Sequence, residues 1–236
     1  MEENISDLYL VRHGQASFGE KDYDNLSEKG VRQSISLGKK LKKRNLVFDN
    51  IVVGPMKRHI QTFNGINIGY GDSLSEPLII EDFAENQLME IAQYFIPKML
   101  KTNKNIKELM SEIPLWKRKK TFLKYFNIIA QQWINDELDL SKKNFESYKS
   151  FKKRVKNAKD KVSDIMKESS KTMVVSSGGT ITGIYAECHS LSAEEIMHLN
   201  FKIKNASISL FKKENDTFTL KTFNRSFIPR YLETYI

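Results

Sequence analysis

The sequence predicts an α/β fold: a three-layer α/β/α sandwich with a mostly parallel central sheet and a helical insertion. Three observations predict it. The short apolar runs "DLYLVR" (7–12), "NIVVG" (50–54) and "TMVVSS" (172–177) read as buried strands. Stretches of helical periodicity lie between them, and that alternation is the pattern of a parallel sheet covered on both faces. The stretch 86–171 has a different texture, with long helical patterns and few strand signals. It is expected to form a helical cap inserted into a single domain spanning residues 1–236.

Taken in order, the first strand stops at Gly14, and "QASFGEKDYDN" reads as a polar loop. Ser27 then offers an N-cap for "EKGVRQSISLGKKLKKR", with Val31, Ile35, Leu37, Leu41 and Leu46 as its apolar stripe. Basic residues gather at its C-terminal end, where the helix dipole favours cations. Pro55, directly after the second strand, suits the first turn of a helix "PMKRHIQTFNGI". In the insertion, Phe122, Phe126, Ile129 and Trp133 share one helix face, while Tyr148, Phe151, Val155, Ala158, Val162 and Ile165 share another. After the third strand, "GGTITGIYAECHSL" reads as a helix, and Ser192 with Glu195 makes a capping box for "AEEIMHLNF". The strands "ASISLFKK" and "TFTLKTFN", joined by the turn-forming "ENDT", close the domain. Open α/β sheets bind ligands beyond the carboxyl ends of their strands, so "RHG", "GPMKR" and "SSGG" are expected to meet in one crevice.

Composition narrows the function. The chain has 236 residues and 40% hydrophobic content, enough for one sizeable core. No apolar run approaches the ~20 residues of a membrane span, and the acidic start "MEENISDLYLVRHG" lacks a signal-peptide core. A soluble cytoplasmic protein with no membrane partner is expected. The lone cysteine, Cys188, excludes an internal disulfide and reads as a small buried apolar residue; without clustered histidines beside it, no metal site is expected. The formal charge of +9 would attract an anionic ligand.

The segment "LYLVRHGQAS" resembles the signature of the histidine phosphatase superfamily, phosphoglycerate mutase-like branch. "GPMKRHIQT" resembles that family's second-arginine motif, and "LSEKGVRQSISLGKKL" the helix between the two. "VVSSGGTITGI" stands in the place of its His-Gly-Gly motif, and "NASISLF…KTFN" is similar to its last strands. The chemistry of the residues agrees. A phosphomonoester dianion calls for planar, multiply donating cations, which Arg12 and Arg58 supply. A neutral imidazole attacks phosphorus near pH 7 without a separate base, and His13 is that candidate. The leaving oxygen needs a proton, for which Glu81, Asp82 and Glu85 in "IIEDFAENQL" compete. Glu85 is preferred because "FAEN" best resembles the family's pattern, although a carboxylate in the first turn of a helix has a purely structural reading as well. Gly14, Gln15, Ser17, Ser177 and Gly178 are expected to line the substrate.

The sequence departs from the family at one point. Where the family writes serine-histidine-glycine-glycine, this chain has Ser176-Ser177-Gly178-Gly179. Ser177 can donate one neutral hydrogen bond but brings no charge, a loss expected to cost ~3 kcal/mol, or roughly a hundredfold in rate, if nothing compensates. The N–H groups of the helix beginning at Gly178 still favour an anion. His59 is expected not to share a phosphate with Arg58, since adjacent helical positions diverge by about 100°. His189 and His198 read as partly buried or surface residues away from the strand ends.

The expected function is hydrolysis of a small phosphorylated substrate, a phosphomonoester, through a phosphohistidine on His13, with no cofactor. Mutase activity is disfavoured because "GQASFGEKDYDN" lacks the tryptophan- and asparagine-containing segment of mutases. The alternative is a catalytically impaired pseudo-phosphatase that binds a phosphorylated ligand or partner. The basic, aromatic stretch 98–126 admits nucleic-acid binding, a core stripe with a solvated lysine face, or a lid over the crevice. Nucleic acid is the least favoured partner of the three readings, and the sequence does not separate the other two. The oligomeric state is left open, with a homodimer among the options.

Overall fold

The computed structural model describes residues 5–17, 22, 24–102 and 115–235. Six strands form one sheet: β1 (Ile5–Arg12), β2 (Asn50–Val53), β3 (Leu78–Ile79), β4 (Lys171–Ser176), β5 (Ser207–Glu214) and β6 (Thr217–Ser226). Their spatial order is β3-β2-β4-β1-β5-β6. The pairs β2–β3, β2–β4 and β1–β4 are parallel, whereas β1–β5 and β5–β6 are antiparallel. The fold is thus an α/β sheet, mixed but mostly parallel, flanked by helices. The hairpin between β5 and β6 turns at Asn215, whose left-handed φ of 52° suits asparagine.

Seven helices are described: α1 (Glu28–Lys43), α2 (Lys57–Tyr70), α3 (Leu88–Thr102), α4 (Leu115–Ile134), α5 (Tyr148–Ile165), α6 (Gly178–His189) and α7 (Ala193–Lys202). The Ser27 hydroxyl caps α1 by accepting from Gly30 N–H at 3.1 Å, and Ser192 and Glu195 close the capping box of α7. Two expectations need correction. Pro55 lies outside α2, whose N-cap is Met56 in extended conformation. The buried face of α1 carries Gly30, Gln33, Ser34, Leu37, Gly38 and Leu41, and Val31 is exposed. Leu37 and Leu41 supply its apolar part, and small residues stand where backbones approach closely, Gly30 against Gln15 of the loop after β1 and Gly38 against Ile66 of α2.

The core on one side of the sheet joins Tyr9, Val11, Ile51, Val53, Met173 and Val175 of the strands with Leu37, Leu41, Phe63 and Ile66 of α1 and α2. On the other side Leu8, Leu10, Val52 and Val174 are equally buried, and Tyr185 of α6 stacks on Phe223 of β6 at 4.9 Å. Residues Asn86–Lys153 make a compact unit of their own, separate from the unit formed by Met1–Glu85 and Arg154–Ile236. The boundary falls within α5, which from Arg154 onward belongs to the sheet-bearing unit. Arg154 donates to the carbonyls of Asp82 and Ala84 at 2.9 and 2.8 Å, Lys161 pairs with Asp82, and Lys213 donates to Ser163 O at 2.8 Å.

Within the 86–153 unit, Phe126, Ile129, Trp133 and Phe151 are buried, with Trp133 and Phe151 rings 5.7 Å apart, and the Trp133 indole donates to Glu146 O at 2.8 Å. Much of the basic stretch 98–126 lies outside the described residues. No described helix is long and apolar enough to cross a membrane. Cys188 is half-buried.

The helix pair α1–α2 provides a test. A Cβ at Gly38 would strike the Ile66 carbonyl, and one at Gly69 the Ile35 carbonyl. An interior glycine-to-alanine change ordinarily stabilises a helix by about 1 kcal/mol. Here the sign is expected to reverse, Gly38→Ala losing about 1–3 kcal/mol as the helices are forced apart. Urea unfolding measures it, and an unchanged or raised midpoint would show that the close approach is not required.

Candidate active site

The parallel strands end level with one another. Arg12 is in register with Ser176, and Val53 with Val175. His13 N–H continues the ladder to Ser176 O at 2.9 Å, and Gly54 N–H to Val175 O at 2.9 Å. Three chain segments, 12–14, 54–58 and 176–178, therefore leave the sheet side by side.

His13 is 5% exposed. Its Nδ1 lies 2.6 Å from the Gly14 carbonyl, which can only accept, so the imidazole proton sits on Nδ1 and Nε2 keeps its lone pair. Burial above all, then Arg58, Arg12 and His59, hold its pKa well below the usual imidazole range. The histidine is neutral at pH 7.

The surrounding backbone is braced from several elements. Gly14 N–H donates to Thr62 Oγ1 at 3.0 Å, and that hydroxyl donates to Arg58 O at 2.6 Å, tying the loop to α2. A Cβ at Gly14 would meet the Gly30 carbonyl, so only glycine lets the loop lie on the first turn of α1. Ala206 N–H reaches the carbonyls of both Arg12 and His13, at 3.1 and 3.2 Å.

Both arginines are buried, each 4% exposed. The Arg12 guanidinium donates to Ile203 O at the end of α7. Arg58 pairs with Asp24 at 2.7 Å, and its NH2 lies 3.4 Å from Ser177 Oγ. A Cβ on Gly178 would sit 3.4 Å from Arg12 Nε and 2.8 Å from Asn200 Oδ1, so this glycine admits the neighbouring side chains.

Among the three carboxyl candidates, the structure separates the environments. Glu81 is exposed, and the Asp82 carboxylate is engaged by Lys161. Glu85 is half-buried, and its Oε2 accepts from Gly179 N–H, one residue beyond Gly178, at 3.3 Å. Its segment is anchored by Ser176 Oγ on Phe83 O at 2.8 Å and Thr180 Oγ1 on Ala84 O at 2.6 Å.

The remaining expected residues are placed as follows. Gln15 has its side-chain oxygen 3.0 Å from the Ser27 hydroxyl, and its N–H donates to Gln33 Oε1 at 2.8 Å. Ser17 is buried, its N–H donating to Asn25 O at 2.8 Å. Ser177 is fully buried at the N-cap of α6, yet its hydroxyl makes no capping bond. It faces His59 instead, with Nε2 2.6 Å from Oγ.

His59 and Arg58, adjacent on α2, both reach this serine oxygen. Sequence reasoning passed over Asp24, Thr62 and Gln33. Only Thr62 carried a local signal, four residues after Arg58, one helical turn on. His189 and His198 are exposed. Among the described residues no cluster of potential metal ligands occurs.

Two buried guanidiniums and a neutral imidazole thus stand together at the strand ends of an α/β sheet. A family model described as the histidine phosphatase superfamily (branch 1) matches residues 8–226, and the chain belongs to that superfamily. The chain is also similar in fold to solved structures. A phosphoglycerate mutase from Bacillus anthracis str. Sterne is 19% identical, covers 95% of each chain and has a TM-score of 0.64. A phosphoserine phosphatase from Entamoeba histolytica, in complex with 3-phosphoglyceric acid, is 18% identical over 96% of this chain and 99% of that one, with a TM-score of 0.61. The alpha-ribazole phosphatase from Shigella flexneri is 18% identical over 94% and 98%, with a TM-score of 0.60.

Burial of two neutral histidines has a pH signature. His59, like His13, is held well below the usual range, by burial first and Arg58 second. Above about pH 6.5 both are neutral folded or unfolded, and stability is complete. As pH falls below that, the unfolded chain takes up protons the folded chain refuses, and stability is lost at about 1.4 kcal/mol per pH unit for each histidine. Urea midpoints taken from about pH 7 to about pH 5.5 should fall, and His13→Asn should roughly halve the slope. A flat wild-type profile would contradict the buried neutral pair.

Proposed function

We propose that the protein is a phosphatase that hydrolyses a small phosphomonoester through a phosphohistidine on His13. The observation carrying this reading is the Nδ1 bond of His13 to the Gly14 carbonyl, which leaves Nε2 as a neutral nucleophile between Arg12 and Arg58. Nε2 attacks phosphorus in line as the bond from phosphorus to the leaving oxygen breaks. Arg12 and Arg58 offset the charge on the phosphoryl oxygens. Glu85, entering as the acid, protonates the leaving oxygen; its carboxylate then takes a proton from water, which attacks the phosphohistidine and releases inorganic phosphate. His13 returns neutral with its Nδ1 proton undisturbed.

The similar structures described above are named as a mutase and as phosphatases. The loop after His13 supports hydrolysis, as it lacks the segment that resemblance associates with mutases. A second reading, a pseudo-phosphatase that binds a phosphorylated ligand without turnover, is favoured by one observation: Ser177 carries no charge where the family carries a histidine.

Hydrolysis of an aryl phosphate without added metal tests the reading. His13→Ala is expected to reduce kcat by at least ~10³-fold, the scale on which an activated nucleophile contributes. Phosphate binding retained by a wild-type enzyme with no turnover would establish the second reading instead. The acid is tested separately by its leaving-group dependence. Glu85→Gln should lower kcat about 10²-fold or more on an alkyl phosphate, whose alkoxide needs protonation, and far less on an aryl phosphate. Equal losses on both substrates would remove Glu85 from the acid role.

A further inference from the structure

Ser177 occupies the position where resemblance expects a charged phosphoryl donor, and its surroundings are unusual for a serine. It is the N-cap of α6 but leaves capping undone. Two partners converge on its oxygen, His59 Nε2 at 2.6 Å and Arg58 NH2 at 3.4 Å. His59 is wholly buried, and its ring lies 5.7 Å from that of His13. Its Nδ1 faces the Gly54 backbone without a hydrogen bond of good geometry, and any Cβ at Gly54 would strike that nitrogen. The ring is therefore held by shape on one side and by Ser177 on the other.

A proton on Nε2 makes the imidazole a donor to Ser177 Oγ, whereas a proton on Nδ1 would face the Gly54 backbone. Arg58 only donates. With Nε2–H and the guanidinium on its two lone pairs, the hydroxyl has its own hydrogen left for a third group. The ladder pairs Arg12 with Ser176, and His13 N–H bonds to Ser176 O, so Ser177 leaves the strand end beside His13.

We propose that His59 is a positioning residue: by donating to Ser177 it orients the serine hydroxyl toward the transferring phosphoryl group. The His59–Ser177 pair thus does the work of the absent histidine with a neutral, directed donor. The inference rests on the phosphatase reading and deepens it.

A double-mutant cycle on aryl phosphate hydrolysis tests it. Ser177→Ala is expected to lower kcat about 10²-fold with KM little changed, the scale for removing one aimed donor. His59→Ala should lose about as much, and the double variant no more than either single one, because both remove the same hydrogen bond. His59→Gln, whose amide can donate to Ser177, should recover most of the loss. Ser177→Ala adds no bulk and serves as the arm that does not depend on His59 variants folding. Unchanged kcat in Ser177→Ala, multiplicative losses in the double variant, or a loss in His59→Gln equal to that in His59→Ala would overturn the inference. Each of these leaves the phosphatase reading standing as long as activity still depends on His13. A wild-type activity indifferent to His13→Ala overturns that reading, and the inference with it.

Discussion

The whole site depends on the pairing of β4 with its two parallel neighbours. Strand β4 lies between β1 and β2, and its backbone holds Arg12 opposite Ser176 and Val53 opposite Val175. A parallel ladder sets its strands in one direction, so their carboxyl ends emerge together. A one-residue slip of any of the three would send its side chains to the other face. The valines and methionine of these strands are buried on both faces, which makes the register costly to break.

The assembled site is electrostatically one-sided. Two buried guanidiniums lie near two buried imidazoles, and burial first, then the arginine charges, keep the imidazoles neutral. Burying an arginine is unfavourable unless its donors are met. Arg58 meets Asp24, and Arg12 meets the carbonyl at the end of α7, where a helix presents its negative pole. Placed in this way, both cations are held by contacts within the protein.

The solved structures similar to this chain share its fold at under a fifth of identical residues, and superfamily membership leaves the detail of the site to this chain's own side chains. The exchange at 177 is such a detail. Where the resemblance expects a histidine at the end of β4, this chain has Ser177, and His59 of α2 stands within hydrogen-bond reach of it. The His59 ring lies 5.7 Å from that of His13.

The sequence by itself determined the alternation of strands and helices, the α1 and α7 caps, and the strand-end position of Arg12, His13 and Ser177. All of these rest on local rules: periodicity, capping and the exit of a strand into glycine. It preferred Glu85 on a short pattern that resembles the family's, with Glu81 and Asp82 as rivals, because nothing local tells a carboxylate which helix it will face. Only the tertiary structure decided that Lys161 engages Asp82 and that Glu85 meets the start of α6. It likewise decided that Gly30, Gln33, Ser34 and Gly38 would join Leu37 and Leu41 on the buried face of α1, and that Asp24, 34 residues from its partner, would hold Arg58. His59 shows the reason most clearly. Helical geometry gives the directions in which Cα–Cβ bonds leave the backbone, but an arginine and a histidine reach well beyond Cβ. Where their ends meet is set by the wall they pack against, and that wall comes from strands far away in the chain.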